Sequence, residues 1–220
     1  MANQIATVNG IAIASIANIN GITDANLAKW NGREFTSALP DAHTLIATAT
    51  ASASATLSFT TGIDSTYDAY EFHFTNMHPA SDGTWFEFQV NAVGQAGFNE
   101  VMTTTSFIVY HDEADSDTSL AYESSYDQAQ GTGYQQIGYY VGADNDQAVS
   151  GVLTLYAPSS TTYVKHFTAR SNTAHAGDYA IGYHVAGYIN TTNAIDEISF
   201  KFQSGNTDAG QIKMYGIAKA

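Results

Sequence analysis

Tyr70-Glu71-Phe72-His73-Phe74 and Trp85-Phe86-Glu87-Phe88-Gln89-Val90, separated by a Ser81-Asp82-Gly83 turn signal, decide the fold. Successive side chains of an extended backbone point to opposite faces. Tyr70, Phe72 and Phe74 therefore share one face and Glu71 and His73 the other. Phe86, Phe88 and Val90 stand likewise opposite Trp85, Glu87 and Gln89. The same period of two continues outward. Leu57 and Phe59 precede these runs, and apolar runs follow at 107–110, 137–141, 152–156 and 163–168. Ile181, Tyr183 and Val185 stand opposite Gly182 and His184. Ile198, Phe200 and Phe202 come next, and 212–217 closes the chain. Turn signals at Thr61-Gly62, 94–97, 143–146, Pro158-Ser159-Ser160 and Ser204-Gly205-Asn206 separate the runs. Ten or so half-buried strands with frequent turns predict an all-β chain, an antiparallel β-sandwich or jelly roll. No convincing amphipathic helix is visible; 24–30 offers one turn at most.

The first residues follow a different rule. Ile5-Ala6-Thr7-Val8-Asn9-Gly10, Ile16-Ala17-Asn18-Ile19-Asn20-Gly21 and Leu27-Ala28-Lys29-Trp30-Asn31-Gly32 repeat one pattern at a constant offset of eleven residues. An eleven-residue period also suits a right-handed coiled coil. The Gly in every unit argues against helix, at a cost of about 1 kcal/mol relative to Ala. Asn-Gly instead favours the type I′ turn of tight hairpins. Short extended pieces punctuated by turns are expected, forming an extended N-terminal arm. Each unit is too small to bury its own apolar side chains. Ile5, Val8, Ile16, Ile19, Leu27 and Trp30 are therefore the expected anchoring or trimer-interface residues; the plainer alternative makes this segment the first strands of the main domain. Ala47–Ala55 reads ATATASASA, small residues without a bulky anchor, which fits a linker or a plain edge strand. The expected organisation is an arm over 1–46, a linker over 47–55 and a β-sandwich over 56–220.

Composition excludes several functions. Seven Lys and Arg against 21 Asp and Glu give a formal charge of −14, the wrong sign for neutralising phosphates, so nucleic acid is not an expected partner. Only 13% of residues are charged, so Ser, Thr, Asn, Gln and Gly must make most of the surface. With no Cys there is no disulfide framework, thiolate metal site or cysteine nucleophile. No basic segment leads into an apolar core at the start, and no run of about eighteen apolar residues occurs, so neither a secretory signal nor membrane insertion is expected.

The serial units at 5–10, 16–21 and 27–32 resemble N-terminal repeats of virion structural proteins of marine tailed phages, notably cyanophages. The closing stretch, Ile195-Asp196-Glu197-Ile198-Ser199-Phe200-Lys201-Phe202-Gln203-Ser204-Gly205-Asn206 followed by Gly210-Gln211-Ile212-Lys213-Met214-Tyr215-Gly216-Ile217, resembles the last hairpin of a β-domain frequent in phage fibre and capsid-attached proteins. Met214 stands where Leu is commoner in that family. The resemblance implies a virion component, usually trimeric, with an N-terminal anchor and an exposed β-domain, and it carries over no catalytic residue.

Asp112-Glu113-Ala114-Asp115-Ser116-Asp117 is the densest charge, and oxygen-rich loops suit Ca²⁺, yet the EF-hand pattern is absent and a solvated acidic loop is expected. Asp144-Asn145-Asp146 reads as a turn. The seven His residues, at 43, 73, 78, 111, 166, 175 and 184, show no metal-ligand spacing, although one His per chain on a trimer axis is a possible ligand arrangement. No nucleophile elbow or phosphate loop occurs, and a glycosidase carboxylate pair has no sequence signature, so no enzyme and no cofactor are expected. Tyr is frequent, with 14 copies, and Tyr122, Tyr126, Tyr134, Tyr139 and Tyr140 cluster in a Gly/Gln/Ser-rich region. They are the candidate glycan-contact residues, against the alternative of ordinary sheet packing. The expectation is a non-enzymatic, capsid- or tail-attached fibre or decoration protein, a homotrimer located in the virion and contacting other virion proteins. A carbohydrate-binding or adhesion module that meets host surface glycan is the alternative.

Overall fold

The computed structural model describes residues 7–8, 11–12, 18–19, 22–23, 29–30, 33–34 and 43–218. It divides into two compact units, Met1–Ala42 and His43–Ala220.

Among its described residues the first unit has three equal hairpins: β1 (Thr7–Val8) with β2 (Ile11–Ala12), β3 (Asn18–Ile19) with β4 (Ile22–Thr23), and β5 (Lys29–Trp30) with β6 (Arg33–Glu34). The innermost pairs, Val8↔Ile11, Ile19↔Ile22 and Trp30↔Arg33, bracket an Asn-Gly each time. The eleven-residue period is therefore one hairpin per repeat, as the Asn-Gly turn chemistry requires. Among the six expected anchoring residues, Val8, Ile19 and Trp30 each end the first strand of a hairpin; Ile5, Ile16 and Leu27 lie outside the described residues.

The second unit is entirely β among its described residues. Its strands are β7 (His43–Thr50), β8 (Leu57–Phe59), β9 (Ala69–Pro79), β10 (Thr84–Ala92), β11 (Met102–Asp112), β12 (Thr118–Tyr122), β13 (Ala129–Gly131), β14 (Gln135–Val141), β15 (Val149–Tyr156), β16 (Lys165–His175), β17 (Tyr179–Ile189), β18 (Ile195–Phe202) and β19 (Thr207–Ile217). Every pairing is antiparallel. One layer runs β7-β19-β9-β15-β16-β17-β11, with β12 and β13 on the far edge of β11; the other runs β14-β10-β18-β8. The single pair Val141↔His175 joins β14 to β16 and makes the whole one continuous, strongly curved sheet.

The alternating residues make the core between the layers. Phe86, Phe88 and Phe200 of the small layer meet Phe72, Phe74 and Phe167 of the large one. Ring centroids lie 5.6 Å apart for Phe72–Phe200, 5.2 Å for Phe74–Phe86 and 4.9 Å for Phe88–Phe167, at tilted or edge geometries. Phe59 closes the group from β8 at 5.6 Å from Phe72.

Two features differ from the sequence expectation. The stretch 47–50, assigned to a linker with a plain edge strand as the alternative, belongs to the edge strand β7, where Ala47, Thr48, Ala49 and Thr50 pair with Met214, Lys213, Ile212 and Gln211. Small side chains suffice there, because the backbone ladder to β19 holds the strand and Ile46, Ala47 and Ala49 pack on the core. The unit boundary accordingly falls at 42/43 instead of within 47–55. Second, the face of β10 carrying Trp85, Glu87, Gln89 and Asn91 is buried as well, so all nine of its residues are. The Gln89 amide donates to the carbonyls of Glu100 (3.0 Å), Thr132 (3.1 Å) and Gly133 (2.9 Å), tying the flanking segments over that face.

Candidate functional site

Three of the five candidate tyrosines come together around a residue the sequence had assigned to the polar side of β10. The Trp85 ring lies 4.1 Å from Tyr126, 4.4 Å from Tyr139 and 5.9 Å from Tyr140. His175 continues the group, 5.1 Å from Tyr140 and nearly parallel to it, with Tyr179 beyond at 5.3 Å. Burial holds the His175 imidazole below its ordinary value although Asp82 and Asp178 oppose this, so it stays neutral near pH 7. Burial also pushes the Tyr139 phenol up to about 12, so it remains protonated. Trp85 is only 7% exposed beneath these rings, while Tyr140 keeps an exposed side at 42%. Tyr134 sits apart, its ring 4.5 Å under the Lys201 ammonium, which pairs with the buried Glu87 at 3.3 Å. Tyr122 is exposed on β12, its hydroxyl donating to Asp127 at 2.5 Å.

The acidic loop is internally satisfied. The Asp112 carboxylate accepts from the backbone N–H of Ser116 and of Asp117, at 2.8 Å each, and from the Ser116 hydroxyl. The Ser116 hydroxyl is the largest influence holding that carboxyl below its usual range. Asp115 pairs outward with His111 at 3.1 Å. Among the described residues no group of three or more His, Asp or Glu is arranged to hold a metal ion.

The open surface lies on the outer face of the large layer. The register aligns Thr105, Ala186, Thr168 and Thr154 in one row across β11, β17, β16 and β15. Two residues to one side, the row is Phe107, His184, Arg170 and Val152; to the other it begins Thr103, Tyr188 and His166. A floor of short hydroxyl and methyl side chains between rows of large ones makes a trough running across the strands. At about 3.3 Å per residue its walls stand roughly 13 Å apart. It contains two adjoining depressions of about 390 and 400 Å³, which share Thr105, Thr168 and Ala186. Phe107 and His184 stack at 4.7 Å with 6° between their planes. On the opposite wall, Tyr156 is 42% exposed and its hydroxyl lies 3.2 Å from that of Thr168.

Further along the same face, Glu71 accepts from His73 at 2.8 Å and from His43 at 3.1 Å, with Tyr215 5.0 Å from the His73 ring. Burial raises the Glu71 carboxyl, but the two imidazole hydrogen bonds outweigh it and leave the group below its ordinary value.

Sequence reasoning did not single out Phe107, Arg170 or Tyr188, and it weighed His184 only as a strand histidine without metal-ligand spacing. One signal was present. In Phe107-Ile108-Val109-Tyr110 both phases of the alternation are apolar, so one apolar phase has to face outward, and Phe107 and Val109 do.

No protein-family model, curated protein or solved structure matches the chain. The class the fold defines is an all-β protein with a large, curved antiparallel sheet.

Proposed function

We propose that the chain is a non-enzymatic structural component of a bacteriophage virion. It would be a capsid- or tail-attached fibre or decoration protein, assembled as a homotrimer through its N-terminal arm, with the β-sandwich turned outward. The observation that carries this reading is the arm: three hairpins of two-residue strands, repeated without variation in length. An isolated two-stranded hairpin is marginal in water even when longer, so units of this size gain their stability by packing on something else. The resemblance of the repeats and of the closing hairpin to phage virion proteins supplies the kind of particle. A second reading, a carbohydrate-binding or adhesion module, is favoured by the open trough, and the two combine in an attachment protein. Density-gradient sedimentation of particles assembled with the full chain or with a chain beginning at His43 tests the proposal. The full chain is expected to band with the particle and the shortened chain to stay at the top. Equal incorporation of both, or of neither, contradicts it.

A further inference from the structure

We infer that the trough over β11, β17, β16 and β15 is a binding site for an anionic, linear oligosaccharide, with Arg170 as its charge-reading residue. The inference rests on the sandwich being a ligand-facing module and is independent of the arm.

The sandwich carries few cations, and their placement is selective. Its described Lys and Arg residues are Lys165, Arg170, Lys201 and Lys213. Lys165 is fully buried and donates to the carbonyls of Tyr163 (3.0 Å) and Thr191 (3.2 Å). Lys201 is held by Glu87 and the Tyr134 ring. Arg170 and Lys213 have no ion-pair partner among the described residues, and the register sets both in one outward row: Phe107, His184, Arg170, Val152, His73, Lys213. Three strand spacings separate Arg170 from Lys213, roughly 14 Å. The carboxylate in the neighbouring row, Glu71, is already engaged by His43 and His73. Glu71 keeps its charge, so Arg170 and Lys213 leave only a small local cationic excess, centred on Arg170, on a chain of net charge −14; opposite charge there selects a ligand at contact range.

The rest of the trough specifies the ligand's other chemistry. Tyr156 and Tyr188 on one wall offer ring faces to the apolar faces of sugars, and the stacked Phe107–His184 pair on the other, whose inner faces cover each other, adds apolar edge contact. The hydroxyls of Thr105, Thr154 and Thr168 line the floor, where they donate to and accept from sugar hydroxyls. The guanidinium fork of Arg170 matches a carboxylate or sulfate bidentately. The floor row spans four strands, roughly 14 Å, before it meets Glu71 on β9, a length that admits a short linear chain.

The test is isothermal titration of the purified full chain with three size-matched oligosaccharides: a polyuronate, a sulfated galactan and a neutral β-glucan. The variants are Arg170→Gln, Phe107→Thr and Val93→Ser. Arg170 and Phe107 are exposed and outside the core, and Val93 is an exposed residue outside the trough. At least one anionic chain is expected to bind more tightly than the glucan. Its affinity should fall with added salt, and roughly ten- to hundredfold in Arg170→Gln, as for loss of a charged hydrogen bond. Phe107→Thr should weaken it too, while Val93→Ser leaves it unchanged. The polyuronate and galactan arms separate carboxylate from sulfate recognition. Equal binding of the neutral glucan, no binding of either anionic chain, or unaltered binding by Arg170→Gln overturns the inference. So does a change of sedimentation mass in the trough variants, which would assign this face to contact between copies. None of these outcomes depends on whether the chain joins a particle.

Discussion

Phe200→Ala probes whether the two layers share one core. Phe200 is fully buried in the second half of β18, with ring centroids 5.6 Å from Phe72, 6.0 Å from Phe86, 6.3 Å from Phe88 and 6.4 Å from Phe59. The substitution removes a side chain touching both layers, and neighbours on hydrogen-bonded strands have little room to collapse into the gap. Transfer and cavity costs together come to about 3–5 kcal/mol for a buried Phe→Ala change. For a unit of this size each kcal/mol lowers the melting temperature by roughly 2–4 °C, so the drop should be about 6–20 °C. Thermal unfolding followed by circular dichroism reads it, with a urea series to show that the denaturant slope is unchanged. Tyr163→Ala is the control: Tyr163 is 73% exposed, and its loss should stay within about 0.5 kcal/mol. A Phe200→Ala shift no larger than the control's, or a transition that splits in two, would refute a single core shared by both layers.

Gly83→Ala should destabilise by more than about 1 kcal/mol, because Gly83 has φ +63° and an added Cβ would come within 2.8 Å of the Tyr140 ring; an unchanged melting curve counts against that placement. Glu71→Gln and Glu87→Gln should show opposite pH dependence. Glu71 has a lowered folded pKa, so its contribution is present above the ordinary carboxylate value and lost as pH falls through the folded value; the wild type's advantage over Glu71→Gln therefore shrinks on acidification. Burial, partly offset by Lys201, raises Glu87, so the wild type loses stability relative to Glu87→Gln as pH rises from the ordinary value through the raised one. Urea unfolding between about pH 3.5 and 7 measures both, and slopes of the same sign would contradict the assigned environments.

The strands were legible wherever bulky residues alternate with polar or small ones. Tyr70-Glu71-Phe72-His73-Phe74 carries its burial pattern openly, and β9 repeats it. Asn-Gly announced the hairpin turns of the arm because that dipeptide accepts positive φ without help from distant contacts. Strand β7 was half legible: over 47–50 Ala and Thr alternate without a hydrophobic contrast, which left a linker and a plain edge strand both open, and the pairing with β19, more than 150 residues away, decides for the strand. The buried second face of β10 was invisible, since the segments that cover Trp85 and Gln89 are brought there by the tertiary fold. The tyrosine cluster was half legible. Local composition put Tyr126, Tyr139 and Tyr140 in one region, but Trp85 and His175, which pack against their rings, come from other strands. The trough is a property of register: Phe107, His184 and Arg170 are neighbours only because β11, β17 and β16 pair as they do.

The central claim is that the arm assembles the protein and that the sandwich folds without it. Sedimentation equilibrium at micromolar concentration, comparing the full chain with a chain beginning at His43, tests this most directly. The full chain should sediment at three times its 23.5 kDa mass, while the shortened chain is a folded monomer with the same β-rich circular dichroism and melting temperature. A monomeric full chain, a trimeric shortened chain or a shortened chain that cannot fold would contradict it.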